Sequence, residues 1–534
     1  MNASSPLAPP ERLAPVAASE RIETLDVLRG FALVGICVVN VEFFNRPVIE
    51  SGAGMAPGLS GVDWLAAFVI AYFFTGKFWT IFSLLFGMGF AVMLTRAQAA
   101  GRAFLPTYLR RIGALALFGA LHHVFIWSGD ILFSYALGAL FLLLVLFGNW
   151  RWMLGAIVLF VALTSVPPLA TLSSGLAMAL VFAGLVGLYL RGGERDLSLS
   201  LVALVPGCLI TLGALLLLLA GDNQGVRALA TAGALLLAVS WLARRFREPV
   251  AARPWRAGVA IYTLAFALMG LEGALRHFGP PPPPPSSAAQ MQAAQDDLAV
   301  QAARRADRAA RIEQETLVLT EGGYLDAVAM RAEHFSKRVQ EEPGFAVVLV
   351  GVFLIGTWFV RSGVIANAGS HLPLFRKLAL FGIPFGIGLG LLGSLVATGQ
   401  HQASSEGAFR LASALLMLGG LPAALGYAAA VVLMLHSAGA LARIRALAPF
   451  GRMALTNYLL QSVVFSLVFY SYGLGQWGWG RAWQVAFALA LCALQVPLSH
   501  WWLARFRYGP VEWLWRALTY LQLPPMRRAD GGTI

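Results

Sequence analysis

Apolar stretches long enough to cross a bilayer recur from one end of this chain to the other, and they restrict its fold more than any other feature. They fall at roughly 28–46, 62–95, 111–127, 130–148, 152–167, 172–190, 198–220, 226–243, 255–276, 345–360, 372–397, 409–436, 452–472 and 482–504. About 20 apolar residues in a helix span the roughly 30 Å hydrocarbon layer. The expected fold is all-α: a polytopic transmembrane helix bundle of about 14 spans (12–14) with a small helical insertion outside the membrane. Only 12% of the 534 residues are charged, against about a quarter in a soluble chain. The 62–95 run is too long for one straight span, at about 50 Å against about 30 Å of hydrocarbon. Thr75-Gly76-Lys77 is the expected break, with Lys77 reaching back to an interface.

Charge gives an expected orientation. The 96–111 loop carries Arg96, Arg102, Arg110 and Arg111, and every second loop after it is basic, while the loops between are poor in Arg and Lys. The positive-inside rule then puts both termini in the cytoplasm. The net charge of +13 points to anionic lipid head groups, not to nucleic acid, because the basic residues sit in short loops between spans. Cys37, Cys208 and Cys492 all fall inside apolar runs and suggest neither a disulfide framework nor a thiol metal site.

The chain divides into a disordered tail (1–25), an N-terminal bundle (26–276), a Pro-rich helical insertion on the outer side (277–344), a C-terminal bundle (345–507) and an interfacial helix with its tail (508–534). Within the insertion, 280–285 is an unbroken proline run, expected as polyproline II. An exposed charged helix should follow over 286–320, then a Gly322-Gly323 break and a second helix over 324–339.

Two stretches could carry chemistry. In RIETLDVLRGFALVGICVVN (21–40), Arg29 and Asn40 are eleven residues apart, which places them on one helix face about 16 Å from each other. Asp26, three before Arg29, is its expected ion partner. In RRIGALALFGALHHVFIWSGDILFSY (110–135), Arg111 and His122 repeat that spacing. Polar groups are costly in a membrane helix and usually face the bundle interior. His122 is the candidate general base, His123 points elsewhere as a packing residue, and Trp127 marks the outer interface. Asp130 is either a helix cap or a catalytic partner. In GRMALTNYLLQ (451–461), Arg452 and Asn457 either line the same interior or join helices. FSLLFGMGF (82–90) reads as a packing face built on Gly87 and Gly89. YGPVEWLWRALTY (508–520) reads as an interfacial helix with a Glu512–Arg516 pair. No metal-ligand motif, nucleotide-binding glycine loop or serine elbow is present.

These blocks, in this order, resemble the YeiB-like family of bacterial inner-membrane proteins, over about 21–150 and 345–525. The first helix is also similar to that of the heparan-α-glucosaminide N-acetyltransferases and of the transmembrane acyltransferases that decorate bacterial glycans. That resemblance implies transfer of an acyl group from acyl-CoA to a carbohydrate or lipid-linked hydroxyl, with Arg29 and Asn40 matching the Arg and Asn of that helix. The heparan enzymes place a histidine soon after the Asn, and this chain has none between Asn40 and Trp79. The glycan enzymes place a histidine where Asn40 stands. A base must therefore come from elsewhere, which again selects His122.

The expected enzyme binds the phosphates of acyl-CoA through Arg110, Arg111 and Arg452, with Arg29 and Asp26 at the entrance. Asn40 would hold the oxyanion, and Asn457 would line the substrate path. The alternative is a transporter or flippase of a small amphipathic or sugar-containing substrate. Expected partners are membrane lipids, acyl-CoA and a glycan or lipid acceptor, with a homodimer as one open assembly.

Overall fold

The computed structural model describes residues 22–52, 54–191, 251–279, 286–398 and 406–528, with isolated positions between 207 and 240. The runs expected at 198–220 and 226–243, the tail before residue 22 and the 280–285 proline run lie almost wholly or wholly outside the described residues. Helix α1 (Glu23–Asn40) carries Glu23 and Asp26 in its first turn, where the dipole favours negative charge. A 3₁₀ turn takes it on to Phe44. Helix α2 (Gly61–Val69) runs into a π turn at Ile70–Phe74, and α3 (Lys77–Ala99) starts after Thr75-Gly76. Gly76 sits at φ +84°, a conformation that only glycine adopts without strain, so the break is where the sequence puts it. Lys77 departs from expectation. It is fully buried, and its Nζ has no partner, so it does not reach an interface.

Helices α4 (Leu105–Phe125), α5 (Leu132–Phe147), α6 (Trp150–Leu163), α7 (Ala170–Arg191) and α8 (Arg253–Phe278) complete the N-terminal part. Helix α9 (Ala288–Thr320) is largely exposed and ends before Gly322-Gly323. Helix α10 (Tyr324–Arg361) runs through Pro343 into an apolar segment, Glu342–Arg361. The second helix of the insertion and the span expected at 345–360 are therefore one 38-residue rod. Its inner half is the bundle axis, with Leu349, Val350, Val352, Phe353 and Leu354 wholly buried. Helices α11 (Leu372–Thr398), α12 (Glu406–Leu435), α13 (Ala448–Arg452), α14 (Ala454–Phe469), α15 (Arg481–Arg505) and α16 (Pro510–Tyr520) follow.

Eight helical segments among the described residues are long and apolar enough to cross a membrane, and a ninth is formed if α13 and α14, bent by 77°, count as one broken span. The chain is a multi-pass helical membrane protein. Of the fourteen expected runs, two (198–220 and 226–243) lie almost wholly outside the described residues; of the other twelve, α5 and α6 are short and α4 carries two arginines and two histidines.

Close backbone contact holds α1 to the C-terminal part. A Cβ on Gly451 would fall on the Asp26 carbonyl, and one on Gly30 on the Leu447 carbonyl, so the two segments meet only through glycine, as small residues allow in membranes. At the opposite end, the α9–α10 hairpin is tied down as a cap. Glu315 accepts from the Val48 and Ile49 amides (3.0 and 3.5 Å), and Tyr324 donates to the Phe125 carbonyl (3.0 Å). Burial raises the Glu315 carboxyl above its ordinary range, against the opposing pull of those amides and of Arg331. Cys37 and Cys492 are buried thiols in the packing.

Candidate functional site

A cavity opens among α1, α3, α4, α14 and α16 at the arginine-bearing end. Its wider lobe, about 240 Å³, is bounded by Arg29, Arg111, Arg452, Glu512, Trp515 and Arg516, and lower down by Phe82, Phe86, Phe90, Tyr108, Tyr135 and Tyr458. A neighbouring lobe of about 180 Å³ shares Arg29, Arg111, Arg452 and Arg516, and adds Asp26, Arg96 and Arg507. Six arginines face two acids, Asp26 and Glu512. Both acids are engaged. Asp26 pairs with Arg29 at 2.5 Å, as the sequence suggested.

Glu512 caps α14. Its Oε1 accepts from the Leu455 and Thr456 amides (2.7 and 3.0 Å), and its Oε2 accepts from the Thr456 hydroxyl. Burial raises its carboxyl above the ordinary range, and these same hydrogen bonds pull it back. The expected partner, Arg516, lies over the Tyr508 ring at 4.6 Å. Arg111 stacks on Trp515 at 4.0 Å, and the Trp515 indole donates to the Arg111 carbonyl (3.0 Å). Helix α16 thus fixes the arginine wall from outside the bundle. The wall has cationic forks suited to phosphate above an aromatic floor.

His122 is buried, and its Nδ1 lies 2.9 Å from Asp130 Oδ1. Asp130 Oδ2 accepts from the Phe133 amide at 2.9 Å, capping the start of α5. Asp130 thus caps α5 through one oxygen and meets the His122 imidazole through the other. The Nε2 of His122 has no hydrogen-bond partner. A carboxylate on Nδ1 fixes the tautomer with the proton there, leaving Nε2 as the basic nitrogen. The ring packs 5.1 Å from Tyr458, which lines the cavity, while His122 itself does not. His123 packs against Phe335 at 5.1 Å, with neither ring nitrogen partnered.

Other expected residues stand elsewhere. Asn40, at the far end of α1, is not among the residues lining these two lobes. Arg110 also lies off the wall: one residue of helix turns it about 100° from Arg111, and it donates to Thr107. Asn457 is helix glue, its amide donating to the Phe450 carbonyl and to Ser499 of α15 (3.2 and 3.1 Å). Gln461 joins Gln495 in the same way (2.8 Å). Trp127 is buried and stacked on Phe44 at 4.6 Å, and its indole donates to the Phe43 carbonyl. In the 82–90 stretch, Gly87 does pack against the Phe353 backbone, but Gly89, Phe82, Phe86 and Phe90 belong to the cavity.

Sequence reasoning missed Tyr458, Arg96, Arg507 and Arg516. It also missed Arg338, which donates to the Ser128 and Asp130 carbonyls (3.0 and 2.5 Å) and to the Ser134 hydroxyl (3.0 Å). Arg338 pins the loop that presents Asp130. Nothing in the local pattern separates these four arginines from ordinary orienting arginines, or Tyr458 from a packing aromatic. Among the described residues, no group of three or more His, Cys, Asp or Glu is placed to hold a metal ion.

The chain is 28% identical to the uncharacterized protein YxaH of Bacillus subtilis, over 97% of this chain and 98% of that one. It is 27% identical to the uncharacterized protein YeiB of Escherichia coli, over 94% and 96%. Residues 359–522 match the family described as a protein of unknown function, DUF418. Along almost its whole length the chain is thus similar to YeiB-like proteins. An uncharacterized 39.9 kDa protein from the amylase 3′ region of Bacillus acidopullulyticus shares 39% identity over 122 residues, 23% of this chain and 33% of that one. No solved structure matches. The segment matched by that family contains Arg452, Tyr458, Glu512, Trp515 and Arg516, so one wall of the cavity is built from it.

Proposed function

We propose that this protein is a membrane-embedded acyltransferase that moves an acyl group from acyl-CoA to a carbohydrate or lipid-linked hydroxyl. One observation carries the reading: a cavity walled by arginines ends on Tyr458, and against Tyr458 lies a buried histidine with a carboxylate on Nδ1 and a bare Nε2. Arg29, Arg96, Arg111, Arg452, Arg507 and Arg516 would hold the donor's phosphates. The thioester end would lie among Phe82, Phe86 and Phe90. His122 Nε2 takes the proton from the acceptor hydroxyl as that oxygen bonds to the acyl carbon. The carbon–sulfur bond then breaks, and the departing thiolate takes the proton back from the imidazolium. Asp130 stabilises the imidazolium between the two steps.

In this reading the protein sits in a bacterial inner membrane with both termini and the arginine cavity toward the cytoplasm, where acyl-CoA is found. Lipids surround the bundle. Calorimetric titration of the detergent-purified protein with acetyl-CoA tests the donor site. Binding that weakens as salt is raised is expected, and no binding at low salt would end the reading. A carrier reading draws on the 77° break between α13 and α14, since broken spans recur at transport sites. Uptake of an unmodified substrate into vesicles would favour it.

A further inference from the structure

Tyr458 belongs to both halves of this site. Its ring forms part of the cavity wall beside Ile131, Leu132 and Tyr135. The other side of the same residue packs on His122, with ring centroids 5.1 Å apart and planes tilted by 59°. The Tyr458 hydroxyl is buried against the Ile131 backbone, and His122 Nε2 has no hydrogen-bond partner. An unpartnered ring nitrogen is costly where water is excluded, and Tyr458 is a side chain packed directly on that ring. His122 is 1% exposed, and other neighbours flank it. Asp130 occupies Nδ1, Trp127 stands 6.2 Å away edge-on, and Arg338 fastens the 128–134 loop behind it. Of the side chains known to pack against His122, Tyr458 alone also lines the cavity.

We propose that Tyr458 is the gate of the site: its ring divides the arginine cavity from the His122–Asp130 pair, and the two compartments join when that ring moves aside. Only a slender end of the bound molecule that displaces the ring then reaches His122, so Tyr458 sets which part of the ligand meets the base. This inference rests on treating cavity and His–Asp pair as one site, as the proposed function does, but its test needs no acyl transfer. Failure of transfer would sink the enzyme reading and leave the gate standing.

The test is chemical access to position 122. In the full-length protein with Cys37, Cys208 and Cys492 replaced by alanine, His122→Cys is treated with a small anionic methanethiosulfonate, and the adduct is followed by mass spectrometry. Slow reaction is expected with Tyr458 or Tyr458→Phe, which keeps the ring, and at least tenfold faster reaction with Tyr458→Ala. Ile131→Cys, on the cavity wall, is the reference and should react at one rate in all three backgrounds. If that reference shifts with Tyr458→Ala, the bulkier Tyr458→Leu takes its place and should still accelerate labelling at 122. Fast labelling with the tyrosine present, or no acceleration in the truncated variants, overturns the gate.

Discussion

The imidazole of His122 and the carboxylate of Asp130 stand 2.9 Å apart, Nδ1 to Oδ1, in a part of the bundle where neither side chain is open to solvent. The same carboxylate caps α5 through the Phe133 amide. An amide at 130 has one accepting oxygen; with that oxygen on the Phe133 N–H, its NH2 faces His122 Nδ1, and it can neither accept from the imidazole nor stabilise an imidazolium. Asp130→Asn should therefore leave the fold within about 1 kcal/mol while lowering transfer by about 10²-fold or more, an effect of about 3 kcal/mol. Asp130→Ala should lose the cap as well, at about 1 kcal/mol. Thermal unfolding in detergent beside labelled transfer separates the two effects.

The arginine wall makes donor binding electrostatic. A charge-assisted hydrogen bond contributes about 1.5–3 kcal/mol, so Arg452→Gln or Arg111→Gln should weaken acetyl-CoA binding by about tenfold or more. Arg110→Gln should change it little, because Arg110 is turned off the wall. Calorimetry at several salt concentrations checks both points.

Glycine contact between α1 and α13 is a packing requirement. A methyl on Gly451 would overlap the Asp26 backbone, so the segments must part. Gly451→Ala should destabilise the protein by about 1–3 kcal/mol and loosen the Asp26–Arg29 pair beside it. Gly89→Ala, with open space at its Cβ position, should not.

The cap should tighten in acid. Burial, the first of its causes, lifts the Glu315 carboxyl above its ordinary range in the folded protein, and Glu50 adds to the lift. A group raised on folding contributes stability that is full below its unfolded value, about 4.3, and is lost as pH rises through the folded value. Protease cleavage within the α9–α10 hairpin should therefore quicken as pH rises from 4 toward neutrality. Glu315→Gln, which does not titrate, should flatten that profile.

Much of the fold could be read locally. Gly76 and the Gly322-Gly323 pair end helices where their sequence places them, and the Asp26–Arg29 pair needs only three residues of α1. The choice of His122 over His123 followed from helical phase, and Asp130 lay near enough in sequence to be considered with it. What stayed hidden is set by distant contacts. Glu512 caps a helix whose first residues lie more than fifty positions earlier. Asn457 and Gln461 look like cavity residues until Ser499 and Gln495 appear opposite them. Arg96, Arg507 and Arg516 come from three separate segments and meet only in three dimensions. Asn40 shares a face with Arg29, yet the cavity lining on α1 includes Arg29 and Ile36 but not Asn40.

The most direct measurement is transfer itself. Full-length protein in liposomes, supplied with acyl-labelled acetyl-CoA and a hydroxyl-bearing glycolipid, should move label from the thioester to the acceptor, and His122→Ala should reduce that rate by at least 10²-fold while still binding the donor. Label that stays on CoA with the wild-type protein, or an undiminished rate with His122→Ala, would contradict the account.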